Sequence, residues 1–286
     1  MASPAVSSLP DLPRPGGLCA IHQPNLFPRL TTLAKLFAAD YWIVLDDVQF
    51  TRRDYQHRAR LGALNEPNRS QWLTVPTRLP HGRPTLIRDA LIDDPDRSRR
   101  KTAGMLRQHY GASAHWPVLA QAMDPVLTAF DTGRTAAVAK ASTRVLLDLL
   151  GWQGQILTSS DLPSRPGRSQ RLADLSAVTG ARAYVCGTGG MTYLDPAPFA
   201  ADGIAVVPFR PPTTPLWSSG RRLSAMGALA ALGPRDLAAC LRRVALDHSR
   251  PAPRWTRSRP TLRESAVSGA DAHTVVNAAG LAPKPR

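Results

Sequence analysis

Leu18-Cys-Ala-Ile-His22 and Tyr41-Trp-Ile-Val-Leu45-Asp46-Asp47 are the two stretches on which the fold turns. Each is a short, continuous apolar run that ends in ionisable residues. Neither alternates polar with apolar side chains, so neither suits a sheet with one wet face. A strand covered on both faces, as in a parallel sheet, reads this way. Between the two runs lies Gln23-Pro-Asn-Leu-Phe-Pro28, followed by Leu30, Leu33, Leu36 and Phe37 at helical spacing. Pro28 can open that helix, where a missing N–H costs nothing. Strand, helix, strand within about thirty residues is a βαβ unit. Its strand ends put His22 and Asp46 on one carboxyl edge, where open α/β sheets bind ligands.

The alternation continues outward from this unit. Strands are expected at 71–76, 87–92, 156–158, 183–186 and 204–209, and helices at 97–110, 118–130, 134–150 and 168–179. Gly151 closes the third of these helices as a C-terminal glycine should. Helical patterning returns at 223–232 and 237–246. The expected fold is α/β: a mixed, largely parallel sheet flanked by helices, with a helical C-terminal part. Residues 1–16 read as a flexible arm, 17–248 as the folded domain and 249–286 as a basic, Arg/Pro-rich tail without a fold of its own.

Composition narrows the function classes. The chain has 286 residues, 43% of them hydrophobic, which argues against disorder of the whole. No apolar run approaches the roughly 18 residues that span a bilayer, so no membrane insertion is expected. Residues 1–16 lack the basic start and apolar core of a secretory signal, which points to a cytoplasmic location. Cys19, Cys186 and Cys240 are odd in number and widely spaced, which supports neither a disulfide framework nor a zinc site. Cys19 and Cys186 sit inside apolar runs and read as buried small hydrophobes. The net charge is +15, and residues 234–286 hold ten basic against four acidic residues. Such a balance favours polyanionic partners: RNA, phosphorylated cofactors or acidic carrier proteins. The plainer account is arginine-rich composition plus a basic tail.

Several groups could carry chemistry. His22 can move protons near neutral pH, and Asp46 or Asp47 beside it could orient its ring. Two adjacent carboxylates can also bind a metal or an ammonium group, but this set is too common to name a metal, and none is assigned. Alternatively one aspartate caps a loop and the other is solvated. Arg58 follows in the polar stretch 51–60 and could clamp a carboxylate or phosphate, or else lie on a solvated face. Gly187-Thr-Gly-Gly190 follows a strand and could cradle an anion with backbone N–H groups, although it matches neither a P-loop nor Gly-x-Gly-x-x-Gly. A plain turn is the alternative. Ser160 and Asp161 sit in a strand-end loop, and no Gly-x-Ser-x-Gly elbow supports a serine hydrolase.

Taken in order, Ile-His22-Gln23-Pro-Asn25-Leu-Phe-Pro, Leu-Asp46-Asp47-Val-Gln49-Phe, Tyr-Gln-His-Arg58-Ala-Arg-Leu, Trp-Leu-Thr-Val-Pro, Ser-Ser160-Asp161-Leu and Tyr184-Val-Cys-Gly187-Thr-Gly189-Gly190-Met-Thr-Tyr193-Leu-Asp195 resemble the WbqC-like family, over about residues 18–232. The resemblance implies a protein of polysaccharide or natural-product gene clusters, labelled a glycine or aminoacyl transferase acting on amino sugars. It implies an amide-forming reaction with a small-molecule amine as acceptor and an activated acyl donor: an aminoacyl-tRNA, an acyl carrier protein or a coenzyme A thioester. No cofactor beyond that donor is implied. His22, Asp46, Asp47 and Gln49 are the expected catalytic residues. Gln23, Asn25, Arg58, Ser160, Asp161, Tyr184, Gly187, Gly189, Gly190, Tyr193 and Asp195 are the expected substrate-binding ones. Two other classes stay open: a nucleotidyltransferase-like, adenylate-forming enzyme, and a non-catalytic scaffold subunit. The stretch Leu223-Ser-Ala-Met-Gly227-Ala-Leu229 departs from the family pattern by placing glycine where an acid is usual.

Overall fold

The computed structural model describes residues 17–249 except Asn65 and Pro67. The expected N-terminal arm and all but the first residue of the expected tail lie outside the described residues.

Among the described residues nine strands and ten helices follow one another. In the first half these are β1 (Leu18–His22), α1 (Leu30–Phe37), β2 (Tyr41–Val44), β3 (Arg58–Gly62), β4 (Ser70–Thr74), β5 (Thr77–Arg78), β6 (Leu91–Ile92), α2 (Pro95–Tyr110), α3 (Trp116–Ala122), α4 (Asp124–Ala129) and α5 (Thr135–Leu149). In the second half come β7 (Gln155–Thr158), α6 (Arg168–Val178), β8 (Ala183–Cys186), α7 (Thr188–Met191), α8 (Ala197–Ala201), β9 (Ala205–Pro208), α9 (Pro215–Gly220) and α10 (Ala225–Ser249).

Five strands form one wholly parallel sheet in the order β7-β2-β1-β8-β9. The chain builds outward from β1 through β2 to β7, then crosses to the other side of β1 for β8 and β9. The direction of winding therefore reverses between β1 and β8, and such a reversal leaves a crevice at the carboxyl ends of the two strands. Pairing confirms the opening. The β1–β2 ladder runs from Cys19–Tyr41 to His22–Val44, whereas the β1–β8 ladder holds only Leu18–Ala183 and Cys19–Tyr184.

Both faces of the sheet are covered, as the unalternating runs require. Leu18, Ala20, Trp42, Val44, Ala183 and Val185 point into a core shared with α1, α5 and α10. Cys19, Ile21, Tyr41, Ile43, Tyr184 and Cys186 point to the opposite face, where α6 and α8 supply Ala173, Leu175 and Phe199. Trp42 and Tyr41 are fully buried, and each large side chain buried in this way stabilises the sheet by about 1.5–3 kcal/mol.

The fold is the expected α/β one, with helices on both faces of the sheet and a helical C-terminal part; its main sheet is parallel throughout, and the antiparallel pairs stand apart from it as two small ribbons, β3–β4 and β5–β6. The 71–76 strand thus belongs to a hairpin outside the main sheet. The 87–92 segment divides into a 3-10 turn, Ile87–Asp89, and the two-residue β6. The two C-terminal helical patterns lie on α10, which kinks at Gly233 (φ 79°) before Pro234, a residue that cannot continue a helical hydrogen-bond ladder.

Candidate functional site

A cavity of about 550 Å³ opens at the β1/β8 reversal. Its polar lining comes from His22 at the end of β1, Gln23 and Asn25 in the following loop, Arg29, Lys35 on α1, Tyr184 and Cys186 on β8, and the turn Gly187–Gly190. Asp54, Tyr193 and Arg221 complete the charged and aromatic rim.

The loop after β1 is held firmly. Thr143 Oγ1, on α5, donates to the Asn25 carbonyl at 2.9 Å, and Phe27 N donates to Ser142 Oγ at 2.8 Å. Phe27 has a positive φ of 40°, unusual for a residue with a side chain, and its ring is buried. Core packing and two hydroxyls from α5 thus enforce a loop path that local preference disfavours.

Lys35 occupies the place where the β1–β8 ladder fails. The carbonyls of Leu18 and His22 point toward β2, accepting from Asp40 N and Leu45 N. Alternation along a strand turns the Ile21 carbonyl toward β8, where no ladder partner waits, and Lys35 Nζ donates to it at 3.1 Å. The same ammonium lies 3.3 Å from His22 Nδ1. An ammonium has only protons to offer, so Nδ1 accepts and the ring proton resides on Nε2, which donates to Asn25 Oδ1 at 3.2 Å. The three side chains form a chain: Lys35 to His22 to Asn25.

Burial governs the electrostatics of this chain. Lys35 is only 5% exposed, and desolvation pulls its pKa down to about 8, with the Cys186 and Cys19 thiols acting the other way. Desolvation also holds His22 well below its ordinary value; the Lys35 and Arg29 charges add to this, and Asn25 opposes it. His22 is therefore a neutral imidazole at physiological pH. Burial likewise pushes the Cys186 thiol up, against the pull of Lys35 and a hydrogen bond with Tyr184. A Cβ placed at Gly190 would sit 2.7 Å from Cys186 Sγ, so this glycine is what lets α7 lie against the thiol.

Asp46 and Asp47 belong to a different cluster. Ser159 and Ser160, which follow β7, take up the Asp46 carboxylate: Ser160 N donates at 3.2 Å and Ser160 Oγ at 3.1 Å. Asp47 pairs with Arg171 of α6 and accepts from Ser159 Oγ. Lys140, on α5, donates to Thr158 Oγ1 at 3.0 Å. Its pKa is lowered by burial, with the Asp46 and Asp161 charges opposing the shift. The expected imidazole–carboxylate pair is thus replaced by an imidazole held between an amine and an amide, because the aspartates turn toward β7 while His22 turns toward α1.

The structure gathers His22, Gln23, Asn25, Tyr184, Gly187, Gly189, Gly190 and Tyr193 around one cavity, and keeps the other expected site residues out of it. Gln49 is exposed and donates to the Arg83 carbonyl. Arg58 is tied to the Asp54 and Arg53 carbonyls and lies over Trp72. Asp161 is exposed, and Asp195 accepts from Ala197 N at the start of α8. Gly187-Thr-Gly-Gly190 forms the start of the short α7 and not a plain turn.

Sequence reasoning missed Lys35, Arg29, Asp54 and Arg221, and took Cys186 for core alone. One signal was available: Lys35 interrupts the apolar run Leu33-Ala-Lys-Leu-Phe37 on the face that must pack against the sheet. The Gly227 departure does not touch this cavity. Gly227 lines a second hollow of about 570 Å³ beside β3 and α9, and a Cβ there would stand 3.7 Å from Tyr110 Oη.

Comparison with known proteins bears on the same segments. The model of the WbqC-like protein family matches residues 23–222. The chain belongs to the WbqC-like family. The match takes in α1, β2, β7 and β8, and with them nearly all the cavity-lining residues. A similar protein is "Uncharacterized protein Rv1507c" of Mycobacterium tuberculosis (strain ATCC 25618 / H37Rv), 27% identical over 190 residues, which cover 66% of this WbqC-like chain and 80% of the relative. No solved structure gives a significant match. Among the described residues, no helix is long and apolar enough to cross a membrane.

Proposed function

We propose that this WbqC-like chain is an acyl or aminoacyl transferase that forms an amide on an amino-sugar or natural-product intermediate. The observation that carries the reading is the buried Lys35, held at a pKa of about 8 at the edge of the β1/β8 cavity. An acceptor amine must lose a proton to become an acylated product, and a base whose pKa lies near the working pH is best placed to take it.

In this reading Lys35 is the base and His22 positions it. A neutral imidazole with both nitrogens engaged cannot itself collect the proton, but it keeps the Lys35 nitrogen at the Ile21 carbonyl and at the cavity wall. Asn25 spends its Oδ1 on His22. Its amide N–H groups, with the first N–H groups of α7, are the candidates to meet negative charge on the acyl oxygen. Asp54 is the carboxylate on the cavity suited to an ammonium group of the acceptor.

The test is intact-mass measurement of an amino-sugar nucleotide incubated with the full chain and each donor class in turn: aminoacyl-tRNA, acyl carrier protein thioester and coenzyme A thioester. The acceptor gains the mass of the acyl group with one of them, and Lys35→Met slows that gain by about 10²–10⁴-fold. An unchanged acceptor with all three donors, or a Lys35→Met variant as fast as the parent, overturns the reading.

A second reading, adenylate formation, draws on a separate observation. Arg29, Lys35 and Arg221 bring three cations to the cavity against the single carboxylate of Asp54, a balance suited to phosphates. Release of pyrophosphate from ATP in the presence of a candidate acid is the outcome that favours it.

A further inference from the structure

The β3–β4 hairpin presents a patch that neither the cavity nor the fold accounts for. Its register pairs Arg58 with Thr74, Arg60 with Trp72 and Gly62 with Ser70. Alternation therefore places Arg58, Arg60, Ser70 and Trp72 on one face, while Ala59, Leu61 and Leu73 fill the core from the other. On the outer face the Arg58 guanidinium lies 4.6 Å from the Trp72 ring, and Arg60 Nε donates to Ser70 Oγ at 2.9 Å. Trp72 remains 39% exposed, one of few large apolar side chains left in water among the described residues.

The patch leads to the cavity. The Tyr55 ring centre is 5.9 Å from that of Trp72, and Arg29 lies 4.4 Å over the other aromatic step, Tyr55. Arg29 and the neighbouring Asp54 line the cavity itself. The segment carrying Tyr55 is fastened to the loop after β1 by Leu26 N donating to the Tyr55 carbonyl and by Gln56 donating to Gln23. The surroundings are basic: residues 51–83 contain seven arginines against Asp54 and Glu66.

We infer that the outer face of this hairpin docks the single-stranded 3′ end of an aminoacylated RNA and delivers its ester to the β1/β8 cavity. The inference rests on the transferase reading and names its donor. An acidic carrier protein would need only the cations. The exposed Trp72 ring, beside the half-buried Tyr55 and interleaved with guanidinium groups, is instead a stacking platform for unpaired bases, and the neighbouring arginines follow the phosphate backbone. Arg58, tied to the Asp54 and Arg53 carbonyls, backs the Trp72 ring and holds it in place. In the transfer step the acceptor nitrogen forms a bond to the aminoacyl carbonyl. The bond from that carbonyl to the ribose oxygen breaks, and the proton lost by the amine ends on the ribose hydroxyl by way of Lys35.

The experiment measures binding of fluorescently labelled tRNA, a DNA duplex and an acidic acyl carrier protein to the full chain over a range of salt concentrations. tRNA binds more tightly than the other two. Trp72→Ala weakens tRNA binding about tenfold or more, Trp72→Phe retains most of it, and Arg53→Gln with Arg60→Gln lowers the salt slope by about 1.5. Circular dichroism checks each variant for folding, and if Trp72→Ala does not fold, the arginine pair and Trp72→Phe decide. A carrier protein that outcompetes tRNA, or a salt slope unmoved by the arginine pair, overturns the inference. So does a folded Trp72→Ala that binds like the parent. Failure of the transferase reading is a separate result: tRNA still binds at the hairpin, yet no donor changes the mass of the acceptor.

Discussion

Two polar clusters share the carboxyl edge of the sheet, and they treat their charges in opposite ways. At β2/β7 the Asp46 and Asp47 carboxylates are answered by Ser159, Ser160 and Arg171. At β1/β8 the Lys35 ammonium has only a carbonyl, a neutral ring and a cavity. The carboxylates of the first cluster are satisfied by neighbouring donors. The second retains an uncompensated buried cation, and a group held that way stands ready to release its proton. The difference follows from topology: β2 and β7 pair along four residues, whereas β1 and β8 part after two.

The comparison breaks most visibly at Lys35. Lys35→Met is expected to lower amide formation by about 10²–10⁴-fold while leaving stability unchanged or raised, because a buried charge is replaced by an apolar chain of similar length. Product assays and thermal melts on the same preparation check both halves. A variant that unfolds would make Lys35 a structural residue.

The pH profile sharpens the contrast. With its pKa at about 8, Lys35 should make turnover rise about tenfold per pH unit below 8 and level off above it. Stability should move the same way at higher pH. Between about 8 and the unfolded value of 10.5, the unfolded chain binds the proton that the native chain has released, so stability rises with pH across that window. Below 8 both states hold the proton and this contribution is flat. His22, Arg29, Cys19 and Cys186 surround the group, and Lys35→Met should remove both features.

At the other cluster, Asp47→Asn loses the Arg171 pair in a setting where both side chains are largely buried. It is expected to cost about 1–3 kcal/mol in denaturant melts and to leave turnover within about twofold. Lost turnover at full stability would move the chemistry to β2/β7. The smallest effect is expected at Gly190→Ala. A methyl 2.7 Å from Cys186 Sγ must displace the thiol or α7, slowing turnover several-fold, and Cys186→Ala in the same chain should restore most of the rate by making room.

Much of this was legible in the sequence, for a local reason. Continuous apolar runs mark β1, β2 and β8 as strands covered on both faces, and Leu30, Leu33 and Leu36 mark α1 as the helix between the first two. The ends of those runs pointed to His22, Tyr184 and Gly187 to Gly190, which the structure places around one cavity. What could not be read was which strand stands next to which. Proximity in the chain suggests that His22 works with Asp46 and Asp47, and those residues are indeed on neighbouring strands. The open side of β1, however, faces β8, and pairing across so long a separation leaves no trace in local patterns. Lys35 stayed hidden because one lysine in an apolar helix ordinarily lies at the surface. Its burial makes sense only once the unpaired Ile21 carbonyl is known. Arg58, prominent as a clamp in the sequence, is occupied by Trp72 and two carbonyls that no spacing rule connects to it.

The separation of β1 from β8 along the chain also has a consequence for biosynthesis. β1 leaves the ribosome well before the strand that covers its second edge, which begins only at Ala183. Until then a nascent chain can assemble β7, β2 and β1, with Leu18 to Ile21 forming an apolar rim open to any other strand. Products truncated before Ala183 should therefore aggregate, and the cell must protect that rim until β8 has been synthesised.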